Sequence, residues 1–403
     1  MGKKKQLKMN KVGDQHLEQY VQLLRYVFQV THQDLNNIGW EEAEILEVFA
    51  STLHQADVWG WFNEDKLISQ VAVYPFQVRI FNTTYEMGGL TSVGTFPEYS
   101  GQGLMNKLLN KALENMRLKG QSISYLFPYS IPYYRRKGWE IISDKIVFEV
   151  NDYQLPKMKQ VPGEVERFMA ESDEVKQAYQ HFAMQTHGAL VRNELAWREY
   201  FMWDLDDLVA AIYYNEKREP EGYVLYWIAD EVFHIKDMIF LNEEARIGLW
   251  NFVSAHFSMI TKVQGNIHTS EPLAFLLEDA DIHESISPYY MARIVDLEQF
   301  IAAYPFKPDT KERVWTFTME DPLLSWNQGV FRLHISPEGR GSVERVSEST
   351  DSRIDIQTMT TMLLGYKRPD YLRKIGRITC GADTLDMLED AIEQQIPYFS
   401  DYF

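Results

Sequence analysis

Gly101 and Gly103 sit where strand character gives way to helical character, within GGLTSVGTFPEYSGQGLMNKLL at residues 88–109. A backbone that curls tightly and offers consecutive NH groups leaves no room for β-carbons at its crowded positions, and a helix starting at once adds the positive end of its dipole. That is anion-binding chemistry, and the turn reads as a pyrophosphate cradle. A second stretch, PYSIPYYRRKGW at 128–139, gathers three tyrosines, two prolines and three bases, and Pro132 is placed to open a short helix with Tyr133 and Tyr134 in its first turn. The sequence closes on PYFSDYF, whose four aromatics among seven residues predict a docked segment rather than a frayed one. The ten histidines show no H-E-x-x-H or similar ligand spacing, so no catalytic metal is expected.

The elements that must position these residues follow from periodicity. Leu17, Tyr20, Val21, Leu24, Val27 and Phe28 make a helical stripe, and a second helix is expected from Glu41 to Leu53. The period then changes to two through DVWGWF and LISQVAVYPFQVRIF, a hairpin about Asn63 to Lys66, followed by the strand YEMGGLTSVGTF. Past the turn, Met105, Leu108, Leu109, Ala112 and Met116 form one helical face, Gly120 suits a C-terminal cap, and Ile123 to Phe127 reads as the fifth strand. EIISDKIVFEVNDY is expected to finish that sheet.

Residues 156–163, PKMKQVPG, have linker character, and the element order then repeats: a helix from Val175 to Thr186, the segment GALVRNELAWREY, three strands, and a helix LNEEARIGLWNFVSAHF directly after a strand. At this second junction stand Asn242-Glu243-Glu244-Ala245, with no glycine and with two carboxylates where a phosphate would sit, so this unit reads as a degenerate copy without a cradle. From about Met291 a third unit begins, with strands in VWTFTMEDPLLSWNQGVFRLHI, SVERVSES and DSRIDI and helices at Met359 to Leu364, Pro369 to Gly376 and Gly381 to Ile396. The expected organisation is therefore α+β (mixed α/β), in three units at 1–155, 156–292 and 293–403.

Composition bounds the function. Hydrophobic residues at 45% and aromatics at 14% fit a well-buried globular chain, and no apolar run approaches the ~20 residues of a membrane span. The start, MGKKKQLKMN, lacks the apolar core and cleavage site of a secretory signal. The single Cys380 fits a reducing, cytoplasmic location. A net charge of -18 argues against nucleic acid and favours cationic partners.

The strand TSVGTFP followed by YSGQGL resembles the acetyl-CoA site of the GNAT N-acetyltransferase superfamily, with Glu98 where that family's turn carries Gln or Arg. The resemblance extends over the chain: an active GNAT domain, a degenerate one with a G-x-L-V-R…W pattern (Gly188, Leu190, Val191, Arg192, Trp197), and a sterol-carrier-like domain with D-P…N-x-G (Asp321, Pro322, Asn327, Gly329) resemble the Eis aminoglycoside N-acetyltransferases. It implies that Val93, Gly94 and Thr95 hold the pantetheine arm of acetyl-CoA, and that Ser100, Gly101, Gln102, Gly103 and Leu104 hold its pyrophosphate. The P-x5-Y-x-R-x-G pattern, here Pro128, Tyr134, Arg136 and Gly138, implies Tyr134 as general acid, with Tyr133 as the alternative acid and simple packing as the alternative role of Tyr134. The α-carboxylate of Phe403 is implied as general base, and a homohexamer as the assembly.

Acetyl transfer needs a deprotonated amine, a stabilised oxyanion and a proton for the leaving thiolate. A chain-terminal carboxylate, of reference pKa about 3.5, becomes a stronger base when buried among aromatics. The oxyanion donor is expected at Val93 or its neighbours, where splayed strands leave an NH unpaired. Phe28 and Trp40 stand as candidate walls of the acceptor pocket, with core packing as the alternative, and Asp401 as a contact to a cationic acceptor, with simple solvation as the alternative. Two other functions compete: a lipid or acyl carrier whose GNAT units are scaffold, and a protein-lysine acetyltransferase.

Overall fold

The computed structural model describes residues 7–37, 40, 42–202, 207–268 and 272–403. In the first unit, β1 (Leu7–Lys11) precedes three helices, α1 (Leu17–Phe28), α2 (His32–Asn37) and α3 (Glu42–Gln55). The expected start of the second helix, Glu41, lies outside the described residues. A meander follows, β2 (Asp57–Asn63), β3 (Lys66–Ile80) and β4 (Thr83–Thr95), with Asn63 paired to Lys66 and Ile80 to Thr83 across its two turns. The glycine turn leads into α4 (Leu104–Leu118), then β5 (Ile123–Leu126), α5 (Ile131–Arg135) and β6 (Glu140–Ile141). The face expected for α4 is the one buried: Leu108, Leu109, Ala112 and Met116 all lie in the core, and Gly120 closes the helix at φ +75°. β1 has no counterpart in the sequence reading, because five residues with only two apolar side chains, Leu7 and Met9, give too short a pattern; it pairs along β2 and adds an ion pair from Lys11 to Asp57 at 3.1 Å.

The second unit runs β7 (Asp144–Asn151), β8 (Glu164–Met169), α6 (Asp173–Gln185), β9 (Leu190–Val191), α7 (Glu194–Phe201), β10 (Val209–Tyr214), β11 (Pro220–Ala229), β12 (Val232–Phe240), α8 (Glu243–Ser254), β13 (Lys262–Ile267), β14 (His283–Pro288) and β15 (Met291–Ile294). Two strands have exchanged places relative to the sequence reading. Only Glu140–Ile141 of the segment expected to finish the first sheet stays there; β7 pairs instead with β13 and β14 in the second sheet. In return β15, from the far end of the second unit, inserts between β5 and β6. Strand periodicity reports that a segment pairs but not with which partner, since the pairing is set by packing far along the chain.

The third unit comprises α9 (Leu297–Ala303), β16 (Arg313–Glu320), β17 (Gly329–Ile335), β18 (Gly341–Arg345), β19 (Arg353–Asp355), α10 (Ile356–Leu363), α11 (Pro369–Lys374), β20 (Ile378–Thr379) and α12 (Ala382–Ala391). Its sheet order is β18-β17-β16-β19-β20. The last helix stops at Ala391, short of the expected Ile396, and residues 392–403 continue without regular structure yet bury Tyr398, Phe399, Ser400 and Asp401. The D-P…N-x-G pattern has a structural task here. Asp321 pairs in the core with Arg293 of β15 at 2.7 Å and accepts from the NH groups of Leu323 and Leu324 and from Asn327 Nδ2, which fastens the third unit to the strand that completes the first sheet.

Candidate active site

Strand β4 is straight until Gly89 and then departs. Its parallel pairing with β5 covers Met87 to Gly89, and its register against β3 shifts so that Ser92 and Val93 together face Val71, with Ser92 at φ +53°. A bulge of this kind turns the strand away from its neighbour and aims the backbone of Leu90 to Thr95 into a cleft of about 1040 Å³. The expected strand residues Val93, Gly94 and Thr95 line that cleft, and so do Ser100, Gly101, Gln102, Gly103 and Leu104 beyond the turn.

Gly101 and Gly103 have φ +75° and +71°, the left-handed region, and a β-carbon built on either meets no atom within 4 Å. They are therefore required by backbone conformation and open onto space that a pyrophosphate can occupy. Gly103 is the N-cap of α4, whose first residue, Leu104, follows at once. Glu98, the departure from the family turn, points outward with Lys66 Nζ 3.8 Å away and plays no part in the cleft lining.

Tyr134 lies in α5 on the cleft wall, 3% exposed, with the rings of Tyr133, Tyr129 and Trp139 at 5.1, 5.7 and 6.1 Å. Burial first, and then the neighbouring tyrosines, holds its hydroxyl well above the usual phenol range, so it is protonated at any ordinary pH. Tyr133, more exposed, is pushed up to about 12 by burial.

Phe403 comes into the same cleft from the other end of the chain. Its ring lies 5.0 Å from Phe76, 5.4 Å from Tyr290 and 6.3 Å from Tyr74, and its NH donates to the Tyr290 hydroxyl at 3.1 Å. Room for that ring is made by Gly89, where a β-carbon would stand 2.9 Å from both Phe403 and Phe76.

Residues 8–142 match the acetyltransferase (GNAT) domain, residues 188–294 match a second acetyltransferase (GNAT) domain, and residues 297–400 match the sterol carrier protein domain. This chain belongs to the GNAT N-acetyltransferases. Among solved structures the acetyltransferase is similar to a probable N-acyltransferase from Enterococcus faecalis, 27% identical over 98% of this chain and 100% of that one with a TM-score of 0.89. It is also similar to a GCN5-related N-acetyltransferase from Anabaena variabilis (22% identical, 99% and 100% covered, TM-score 0.85). Eis1 from Mycobacterium abscessus shares the whole fold (16% identical, 98% and 100% covered, TM-score 0.80). No protein of curated function matches it in sequence.

GNAT domains use acetyl-CoA, and the open glycine cradle at the start of α4 fits its pyrophosphate. The second repeat offers no such place: Asn242 caps α8 by accepting from Ala245 N at 2.9 Å, and Glu243 and Glu244 flank it, with Glu243 paired to Arg246. What the second repeat does hold is the tail. Gly188, at φ +88°, lets the backbone of Pro397 and Tyr398 pass where a β-carbon would collide, and Tyr398 N donates to His187 O at 2.8 Å. Four residues on, Arg192 takes Asp401. That overturns the expected acceptor role of Asp401, which is 2% exposed and faces Arg192 rather than the cleft; a carboxylate between buried aromatics is stable only when paired.

Of the expected acceptor walls, Phe28 lines the cleft rim at 49% exposure, while Trp40 packs against the core cluster and is not part of the lining. Sequence reasoning missed Tyr74, Ser92 and Glu199, all of which line the cleft. The Gly88-Gly89 pair was the available signal for the first two, since small residues in a strand mark a close approach; Glu199 had none, because it arrives from α7 of the other repeat. Among the described residues no group of three or more His, Cys, Asp or Glu side chains is placed to hold a metal ion, and no helix is long and apolar enough to cross a membrane.

Proposed function

We propose that the acetyltransferase moves acetyl from acetyl-CoA to a primary amine of a cationic acceptor, with Tyr134 as general acid and the α-carboxylate of Phe403 as general base. Aminoglycosides are the acceptors that the family resemblance implies. The observation that carries this reading is the convergence of three remote segments, the glycine turn, Tyr134 and Phe403, on one cleft.

Acetyl-CoA supplies the activated acetyl group as a thioester. Gly101, Gly103 and the NH groups at the start of α4 hold its pyrophosphate, and the bulged backbone of Leu90 to Thr95 fixes the arm and offers an NH, at Val93 or its neighbour, to the carbonyl oxygen as it gains charge. The carboxylate at Phe403 takes a proton from the ammonium, the freed lone pair attacks the carbonyl carbon, the new C–N bond forms, and the C–S bond breaks. Tyr134 gives its proton to the departing sulfur, the second proton lost from nitrogen restores the Tyr134 hydroxyl through solvent, and the proton held at Phe403 is released to solvent, one net proton per acetyl transferred. Burial keeps the Tyr134 hydroxyl protonated, so the proton is on hand when the sulfur departs, and it also makes the phenol a weaker acid than a free tyrosine.

Incubation with acetyl-CoA and a panel of aminoglycosides, simple amines, polyamines and lysine peptides, following thiol release and product mass, tests the reading. Release of CoA with stoichiometric gain of acetyl on an amine is expected; no turnover with any amine would sink it, and a preference for lysine peptides would favour protein acetylation. A homohexamer in the cytoplasm completes the proposal, and light scattering of the purified protein reads the assembly.

A further inference from the structure

The cleft has two halves of different chemistry. Tyr99 to Asn106, Tyr129, Tyr133 and Tyr134 line the side of the glycine turn, whereas the opposite side is formed by the three N-terminal helices, through Leu24, Val27 and Phe28 of α1, Leu35 of α2, and Ile45 and Phe49 of α3. That second half is almost wholly apolar. Among the described lining residues its charged side chains are Arg25 and Glu199, and Glu199 is the one carboxylate side chain in the entire lining.

Glu199 belongs to the second repeat, yet it faces the first. It is 9% exposed, accepts from the Tyr74 hydroxyl at 3.4 Å, and lies within hydrogen-bond reach of Thr52 on α3. Arg198 beside it is turned to α3, donating to Ser51 Oγ at 2.7 Å and Thr52 Oγ1 at 3.4 Å, and Tyr20 is the other titratable group that faces it. Tyr74 in turn has its ring 6.3 Å from that of Phe403. A carboxylate is expensive in such surroundings and is best compensated by an incoming cation. Arg198 lends Glu199 a nearby positive charge but gives its hydrogen bonds to Ser51 and Thr52.

Resting on the acetyl-transfer reading, we infer that Glu199 holds the ammonium of the acceptor as it enters, and that the acceptor is a single cationic amine carried on an apolar skeleton. Glu199 meets the ammonium on entry and the α-carboxylate of Phe403 then takes its proton, so both carboxylates of the cleft serve one amine, and Leu24, Val27, Leu35, Ile45 and Phe49 offer burial to an alkyl or aryl body. A second ammonium would be stripped of water beside Arg25 with no carboxylate side chain to meet it. Within the cationic amines of the proposed reaction this selects monoamines in place of the polycations that the resemblance implies, and makes the second repeat a contributor to specificity.

The test uses the full-length protein with saturating acetyl-CoA and four acceptors: hexylamine, 2-phenylethylamine, spermidine and kanamycin. Monoamines are expected to exceed both polycations in kcat/KM by about ten-fold or more. Glu199→Gln is expected to raise KM for the monoamines by a similar factor, leaving KM for acetyl-CoA unchanged, with Glu199→Asp partly restoring it. Higher kcat/KM for kanamycin, or an unchanged monoamine KM in Glu199→Gln, would overturn the inference. Hexyltrimethylammonium, which cannot be acetylated, separates the two readings by calorimetry. Should no amine be acetylated, the transfer reading fails, while binding of this cation to the parent protein and its weakening in Glu199→Gln still decide the role of Glu199.

Discussion

Arg192 Nε lies 2.7 Å from Asp401 Oδ1, both side chains are buried, and the guanidinium carbon stands 3.6 and 3.7 Å from the ring centroids of Tyr179 and Tyr200. The arginine belongs to the second repeat, and the aspartate to the segment that carries Phe403 into the cleft of the first. Tyr179 and Tyr289 add a second and a third hold, their hydroxyls donating to Asp401 Oδ2 at 3.2 Å and to Asp401 O at 2.9 Å. A repeat without a cradle of its own thus fixes the chain end two residues short of Phe403.

Breaking this clamp should separate acetyl transfer from cofactor binding. Arg192→Ala leaves Asp401 buried and unpaired, at a cost of about 3–5 kcal/mol in stability. With Phe403 released, kcat for amine acetylation is expected to fall by roughly 100-fold, the scale of a misplaced catalytic group, while acetyl-CoA binding is retained. Replacing both partners, Arg192→Met with Asp401→Leu, should recover most of the stability. Full activity of Arg192→Ala well below its melting temperature would show that the clamp has no part in transfer.

Gly89 predicts a second route to the same defect. A β-carbon there stands 2.9 Å from the rings of Phe403 and Phe76, whereas at Gly88 it meets the flexible end of Met116 at 2.7 Å. Overpacking costs about 1–3 kcal/mol at either position, but only Gly89→Ala moves Phe403. Turnover is expected to drop in Gly89→Ala and to persist in Gly88→Ala at equal melting temperature. Equal turnover in the two would detach Phe403 from the chemistry.

The cofactor half of the site was legible in the sequence because its requirements are local. Two glycines in left-handed conformation, a strand before them and an amphipathic helix after them occupy one continuous stretch, and the degenerate second junction could be read from Glu243 and Glu244 in the same way. The acceptor half was legible only at Phe403, which the resemblance implied. Glu199 meets Tyr74 because β9 of the second repeat pairs with β3, Leu190 against Val78 and Val191 against Gln77, just before α7 begins, and a two-residue strand carries no mark of which sheet it joins. Asp401 shows the same limit: a carboxylate near a chain end looks solvated until Arg192, 209 residues away, is placed against it.

The cradle itself can be tested without touching the core. Gly103 has φ +71°, and the left-handed region costs an alanine about 1–2 kcal/mol. Since its β-carbon meets no protein atom, Gly103→Ala is expected to fold, with a modest loss of melting temperature and an acetyl-CoA Kd raised by about ten-fold, equivalent to some 1.4 kcal/mol. Calorimetric titration with CoA reads this. An unchanged Kd would mean that the turn is a connection and not a phosphate site.

Tyr134→Phe removes the proton and keeps the ring contacts to Tyr133 and Trp139. Loss of a general acid is worth about 100-fold or more in the chemical step, whereas acetyl-CoA affinity should be unaltered. Tyr133→Phe, the control from the neighbouring position, should retain turnover. Single-turnover measurement of thiol release distinguishes the two tyrosines, and a reversal of their effects would transfer the acid role to Tyr133.

Two buried groups should shape stability in opposite directions with pH. His187 joins all three units: its ring stacks 3.9 Å from Phe81, Nδ1 accepts from Phe81 N at 3.0 Å, and Nε2 donates to Leu364 O at 2.8 Å. Burial lowers it from 6.5 to about 4, so it stays neutral in the folded chain while the unfolded chain takes up a proton. Its contribution is present above pH 6.5 and lost as pH falls toward 4, on the order of 3 kcal/mol for a shift of this size. Glu199 is raised by burial from 4.5 to about 7, against the lowering influence of Arg198, Tyr74 and Thr52. Its contribution is present below pH 4.5 and lost as pH rises to about 7. Urea denaturation at steps from pH 4 to 8 should therefore show the stability of Glu199→Gln rising relative to the parent between pH 4.5 and 7 and then running parallel to it. His187→Gln should lose less stability than the parent as pH falls below 6.5. Curves that run parallel to the parent throughout would mean that neither group is held in its neutral form by the fold.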